Sequence, residues 1–213
     1  ARDVERFWSG GELNEESNVQ FGEGGAGTFS DGKLNTGIKD VRCRAVLEDF
    51  VRFGAPEDIL INAKPHIGTD ILPGVVKRLR EEIISLGGEV RFETRLENII
   101  TENGAVCGIE AGGERIECNR LILACGHSAR DTFELLRRLG IALERKPFSV
   151  GVRIEHPQSD INRALYGRAA GHPALGAADY KLAVHLKNGR GVYTFCMCPG
   201  GSVINASSES GHI

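Results

Sequence analysis

Glycines and small polar residues cluster near the start of the chain, in a composition that could bind a polar ligand. Seven glycines fall between Gly10 and Gly32, and glycine is favoured where φ is positive or where a ligand approaches the backbone closely. Hydroxyls and charges of both signs are added at Thr28, Ser30, Asp31 and Lys33. We expect residues 22–37 to form a loop that grips a polar ligand, while a flexible surface loop is the alternative from composition alone.

This loop matches a familiar fingerprint only in its spacing. Residues 22–27 read GEGGAG, which has the G-x-G-x-x-G spacing of dinucleotide-binding turns. That fingerprint works where a strand turns into a helix whose N-terminus faces a pyrophosphate. Residues 28–37 carry two further glycines and no apolar stripe at helical spacing, so we reject a Rossmann phosphate loop at this position.

Two histidines and one cysteine pair are further candidates for chemistry. His66 and His127 lie in predicted turns, and imidazole titrates near neutral pH, so each is a candidate proton-transfer partner or a structural turn residue. Cys196 and Cys198 lack both the C-x-x-C spacing of a redox dithiol and a second pair of metal ligands. Packing on one face of a strand is therefore preferred, and no metal site is predicted.

Helices and a small meander must position these residues. Apolar residues at helical spacing predict helices over 40–53, 70–86 and from about 128 to 139, each followed by glycine. Between the last two, the period changes to two. Short strands over 90–95, 96–101, 105–110 and 115–118, with turns at Asn103-Gly104 and Gly112-Gly113, predict an antiparallel meander. The apolar run 120–125 is typical of a strand buried on both faces.

The pattern changes beyond Pro147, where strands are predicted over 148–155, 180–187 and 191–196. We therefore predict two domains, residues 1–146 and 147–213. The first combines helices with the meander, and the second is mostly antiparallel β. The expected fold class is α/β, with an α+β arrangement within this chain.

Composition excludes some classes of partner. The net charge is -3 and the isoelectric point is near 6.1, which gives no global attraction to nucleic acid, and the basic run Lys77, Arg78 and Arg80 is interpreted as a solvated helix face. No apolar run approaches the ~20 residues that span a membrane. A cytoplasmic protein with reduced cysteines is expected. A start at Ala1 and an uncapped end at Ile213 indicate an internal piece of a longer protein.

Five motifs in order resemble a family of FAD-dependent dehydrogenases of bacteria and archaea, within the glutathione-reductase-like flavoprotein superfamily. These are NVQFGEGGAGTFSDGKLNT at 18–36, AKPHIGTD at 63–70, ACGHSARD at 124–131, KPFSVGVRIEHP at 146–157 and FCMCPGG at 195–201. The resemblance implies that residues 1–146 are an incomplete FAD-binding Rossmann-like domain without its N-terminal phosphate-binding turn. It implies FAD in the full-length protein and leaves binding by this chain alone open.

The resemblance also implies positions for the cofactor. The strand ending at Ala124, Cys125 and Gly126 resembles the one that passes close to FAD, and the strand around Leu96 resembles the one whose backbone meets the adenine. The glycine-rich loop resembles the segment that lies toward the flavin, with Gly24, Gly25, Ala26, Gly27, Thr28, Ser30, Asp31 and Lys33 as its contact residues. NAD(P)H as a redox partner is implied by the superfamily alone.

Three functions follow as hypotheses. The first is a piece of an FAD-dependent oxidoreductase of unknown substrate, an enzyme in its full-length form. The second is a noncatalytic domain that binds a nucleotide or a partner protein through residues 22–37. A thiol or metal protein that uses Cys196 and Cys198 ranks last.

Overall fold

A computed structural model describes residues 2–29, 32–34, 36–62, 65–195 and 197–211. Its helices are α1 (Arg2–Trp8), α2 (Arg42–Arg52), α3 (Leu72–Ser85), α4 (Arg130–Arg138) and α5 (Gln158–Tyr166). Its strands are β1 (Leu96–Glu102), β2 (Ala105–Ala111), β3 (Glu114–Glu117), β4 (Ala183–His185) and β5 (Gly191–Tyr193). Short 3-10 turns cover Gly25–Phe29, Glu57–Leu60 and Gly167–Ala169.

One apolar core holds α2 and α3 together. Its buried members are Ala55, Ile59, Ile67, Leu72 and Val75, and partly buried side chains from both helices and from Leu34 pack against them. The predicted spacing is confirmed because α2 and α3 fall within the predicted ranges, with Gly54 and Gly87 directly after their last turns. This core fixes the ends of the glycine-rich loop, through Leu34, and of the His66 segment, through Ile67.

A second core joins the meander to α4. The strands pair in the order β1-β2-β3, both pairs antiparallel, with turns at the two predicted positions. Ile99, Leu135 and Leu136 are buried together, with Leu96, Val106 and Leu121 packed against them. The predicted helix and three of the four predicted strands of the meander are therefore confirmed. No side-chain hydrogen bond caps α4, and the Ser128 hydroxyl lies 3.4 Å from His127 Nε2.

Two of the predicted strands in this part of the chain are wrong. Residues 90–95 do not form a strand, because Glu93 adopts a positive φ of 52° and the Thr94 hydroxyl donates to the Phe92 carbonyl, which bends the chain. Residues 120–125 have no strand partner in the described chain, and Ile122 is 90% exposed. An apolar run records a tendency toward burial, whereas a strand also needs a neighbour that accepts its hydrogen bonds.

Helix α1, which was not predicted from the sequence, contacts the glycine-rich loop through Trp8. Val4 and Val19 are buried, and the Trp8 ring meets Phe29 edge to face at 6.1 Å. The Gln20 side chain donates to the Ala206 carbonyl at 3.1 Å, and the Ser210 amide donates to Glu15 at 2.8 Å. Segment 206–210 is thereby attached to the start of the chain.

Contacts divide the chain into two compact units, Ala1–Pro147 with Ala206–Ile213, and Phe148–Asn205. The predicted domains 1–146 and 147–213 stay a prediction, because this division groups the last residues with the first unit. The α+β class is confirmed. Both described sheets are antiparallel. A Rossmann-like arrangement needs parallel strands, so it stays a prediction.

The second unit holds less β-structure than predicted. Strands β4 and β5 form a hairpin around Asn188-Gly189, but each has three residues. Residues 148–155 have no strand partner among the described residues, and every second side chain is apolar and exposed: Phe148 85%, Val150 85%, Val152 89% and Ile154 66%. Helix α5, between Pro157 and Gly167, was not predicted although both flanking residues are helix-boundary signals.

In the described residues, no helix is both long enough and apolar enough to cross a membrane.

Candidate functional site

The glycine-rich loop and the His66 segment lie side by side. The Leu34 amide donates to the Pro65 carbonyl at 2.9 Å, and the Ile67 amide donates to the Gly32 carbonyl at 3.1 Å. These bonds form an isolated antiparallel bridge that sets Lys33 opposite His66. Two candidate regions that are far apart in sequence therefore form one surface, with His66 exposed on it.

Gly32 is required by this close approach. Its φ is +62°, and a Cβ on it would lie 3.1 Å from the backbone nitrogen of Gly68. Any larger residue would have to adopt a left-handed conformation and push the two segments apart. The bridge that brings Lys33 to His66 therefore depends on glycine at this position.

The 3-10 turn Gly25–Phe29 is packed on α3. Gly27 faces Leu72, and a Cβ on Gly24 would meet Thr28 and Val76. Thr28 is buried, and its hydroxyl donates to the Gly25 carbonyl at 2.8 Å. Packing and turn geometry account for Gly24 and Thr28, whereas a Cβ on Gly25 meets nothing within 4 Å. Ser30 and Asp31, two predicted ligand contacts, lie outside the described residues.

A groove of about 470 Å³ opens where the chain enters the meander. It is lined by Arg91, Phe92, Glu93, Thr94, Ala111, Gly112 and Glu114. Leu96, the predicted adenine-contacting residue, pairs with Ala111 across the first rung of β1 and β2. The lining carries one cation and two carboxylates, so it favours a neutral hydrogen-bonding group over a phosphate.

Arg91 is held at the rim of this groove by two carboxylates. Its guanidinium contacts Glu89 at 2.5 Å and Glu114 at 3.0 Å. The hydrogen bond from Arg91 lowers the pKa of Glu89 below its ordinary value. The pair therefore stays ionised at neutral pH and weakens only as the pH falls through the lowered pKa of Glu89.

The turn at 124–127 precedes α4. Ala124, Cys125, Gly126 and His127 are all exposed, Gly126 has a φ of +73°, and Cys125 Sγ lies 3.8 Å from the Gly126 carbonyl oxygen. Leu121, just before the turn, packs in the core that also holds Leu96. The turn and the groove are therefore supported by one core. The hydrogen bonds that join the glycine-rich loop to Pro65 and Ile67 do not include the turn.

Arg80 connects two of these regions, and the sequence analysis placed it wrongly on a solvated helix face. Its guanidinium pairs with Glu23 in the glycine-rich loop at 2.5 Å and stands over the Phe92 ring at 5.3 Å. Nothing in the local pattern signals these contacts, because Glu23 lies 57 residues away. Four of the groove residues, 91–94, were missed because they fall in the predicted strand 90–95. The other three, Ala111, Gly112 and Glu114, lie in or beside the predicted turn between two strands.

The second unit contains a polar cluster of its own. Tyr180 Oη lies 3.2 Å from His156 Nε2. Gln158, the first residue of α5, donates to the Ala178 carbonyl at 2.8 Å and accepts from the Gly200 amide at 2.9 Å. Cys196 lies outside the described residues, so the packing of Cys196 and Cys198 on one face of a strand stays a prediction for that residue; Cys198 lies beyond the end of β5 and is exposed. In the ranges that the structure describes, no three His, Cys, Asp or Glu side chains are grouped to hold a metal.

Two comparisons with known proteins found a match. Residues 147–213 match the family described as FAD-dependent protein, C-terminal domain-like. Over 211 residues, 99% of this chain, the sequence is 55% identical to an uncharacterized protein of Clostridium beijerinckii. The chain spans 40% of the length of that curated relative. The family match associates residues 147–213 with FAD-dependent proteins.

Proposed function

We propose that this chain is part of an FAD-dependent oxidoreductase of the dehydrogenase type, with a glutathione-reductase-like, Rossmann-related cofactor domain. The observation that carries the proposal is the match of residues 147–213 to a domain of FAD-dependent proteins. The motifs at 18–36, 63–70 and 124–131 support the same assignment for the remainder of the chain. The substrate is left undefined.

The residues present fit part of an FAD molecule. The groove, of about 470 Å³, is an open and mostly polar depression of the surface. Because its lining favours neutral hydrogen-bonding groups, it suits the adenine and ribose of FAD, with the backbone of Leu96 beside them. The glycine-rich loop would supply backbone amides and the charge of Lys33 to the more polar parts of the cofactor, with the turn at Ala124, Cys125 and Gly126 as a further contact.

FAD, when bound, supplies hydride and electron transfer, and the protein supplies orientation and proton transfer. His66 and His127 are the candidate proton-transfer groups. Both are exposed, which leaves their imidazoles accessible to a substrate or to water. His66 has the stronger claim because the bridge to Lys33 holds it beside the glycine-rich loop. NAD(P)H is the proposed electron partner.

A titration with FAD tests the proposal. The 213-residue chain and the longer clostridial relative are titrated in parallel, and flavin fluorescence and visible absorption are followed. We expect the relative to bind FAD tightly and this chain to bind it more weakly. If the relative binds no FAD under any condition, the proposal is wrong, and a noncatalytic nucleotide- or partner-binding role for residues 22–37 takes its place.

A further inference from the structure

Arg80 forms the most enclosed ion pair among the described residues. The Arg80 and Glu23 side chains are 25% and 31% exposed, and no other described pair has both partners so covered. Pairs that are partly removed from water are screened less than surface pairs. The contact therefore constrains Glu23 more strongly than the surface ion pairs constrain their own partners.

Glu23 lies between two glycines, in a part of the loop where the backbone has high conformational entropy unless a contact fixes it. Its neighbours Gly22 and Gly24 have φ values of +121° and +82°, and glycines lose more backbone entropy on ordering than other residues. A carboxylate at this position would also repel a phosphate approaching the loop. The ion pair with Arg80 both neutralises the charge of Glu23 and restrains the loop backbone at this position.

The Arg80 guanidinium also contacts a side chain of the groove lining. The guanidinium lies 5.3 Å from the centroid of Phe92, a groove-lining residue that is 56% exposed. A cation over an aromatic face favours one ring orientation. A ligand that packs on Phe92 therefore acts on the same guanidinium that holds Glu23.

We propose that Arg80 is a positioning residue that couples the groove to the glycine-rich loop, so that a nucleoside bound in the groove orders the loop that meets the rest of the same ligand. This inference rests on the proposed function, because it takes the two surfaces as parts of one dinucleotide site. Coupling of this kind is reciprocal: an ordered loop raises the affinity of the groove by the same factor.

The chain offers a matched control for Arg80. Arg52 pairs with Glu82 of α3 at 3.0 Å and stands over the Phe53 ring at 5.2 Å. Arg52→Gln thus removes an ion pair from α2 to α3 and a cation–π contact, without changing any residue of the glycine-rich loop or of the groove. Glu23→Gln is the second test variant, since it breaks the ion pair and leaves the groove lining intact.

The experiment measures amide hydrogen exchange in residues 22–29 and 91–94 of the full chain, with and without saturating adenosine, a neutral probe for the groove. In the wild type and Arg52→Gln, adenosine should slow exchange in both segments, by about fivefold in the loop, the lower end of typical coupling. In Arg80→Gln and Glu23→Gln, it should slow exchange at 91–94 only. A purely structural role would instead raise loop exchange equally with and without adenosine.

Two negative results have different meanings. If adenosine protects 91–94 in the wild type and leaves 22–29 unchanged, the groove and the loop are independent and the coupling is disproved. If adenosine protects neither segment, the groove is not a nucleoside site and the inference falls with it. FAD binding by the clostridial relative, measured separately, then decides whether the proposed function stands without this assignment.

Discussion

At the scale of single residues, Gly32 gives the sharpest test of the bridge that sets His66 beside the glycine-rich loop. Gly32→Ala would place a methyl group 3.1 Å from the Gly68 nitrogen at a φ of +62°. We expect a loss of about 2 kcal/mol in the free energy of unfolding, measured by urea denaturation. Gly37→Ala is the control: a Cβ there meets nothing within 4 Å, and the change should stay within about 0.5 kcal/mol.

Asp40 provides a pH-dependent prediction. The side-chain hydrogen bond from Arg42, followed by the Arg42 amide, lowers the pKa of Asp40. A carboxyl with a lowered folded pKa stabilises the fold above its unfolded pKa, and this contribution is lost as the pH falls through the folded pKa. Asp40→Asn should therefore lower the melting temperature near neutral pH and leave it unchanged in strong acid. A difference that persists in acid would contradict the ionic origin of the effect.

At the scale of elements, α4 depends on its contact with the meander. Leu135 is 4% exposed and lies in the core with Ile99. Leu135→Ala should lower the free energy of unfolding by about 3 kcal/mol, seen in urea denaturation followed by circular dichroism. Leu139→Ala, at a position 39% exposed, should lower it by about 1 kcal/mol. Equal effects at the two positions would mean that α4 does not use the predicted face.

Elements defined by local signals were predictable from the sequence. Asn103-Gly104 and Gly112-Gly113 specify tight turns wherever they occur, so the meander follows from its own residues. Helices α2 and α3 follow from apolar spacing in the same way. Strand pairing for 120–125 could not be predicted, because it depends on a neighbouring strand that a local pattern does not identify.

The candidate site was predictable only in its separate parts. The loop, His66 and Leu96 were each marked by composition or by resemblance. Their placement beside one another was not, since the Lys33–His66 bridge and the Arg80–Glu23 pair join positions far apart in the chain. At Glu93 the local pattern itself was misleading. Alternation at 90–95 favours a strand, but the positive φ of Glu93 bends the chain beside the groove.

At the scale of the whole molecule, segments 120–125 and 148–155 are expected to behave differently in this chain and in the longer relative. Neither segment has a strand partner among the described residues, so their amides should exchange within seconds here, while those of β1 and β2 stay protected. In the clostridial relative, the aligned segments should exchange slowly if they are sheet strands there, as their patterns predict. Rapid exchange in both proteins would show that neither segment forms a strand even in the longer relative.

The alternating row from Phe148 to Ile154 also affects how the protein must be handled. Four exposed apolar side chains alternate along a segment without a strand partner among the described residues. Exposed, unpaired segments of this kind favour aggregation. Chaperones that bind short hydrophobic segments would bind the same side chains. The fluorescence of anilinonaphthalene sulfonate should increase on binding to these side chains, and light scattering should show aggregation as the protein concentration rises. Val152→Lys, which places a charge in the row, should reduce both signals.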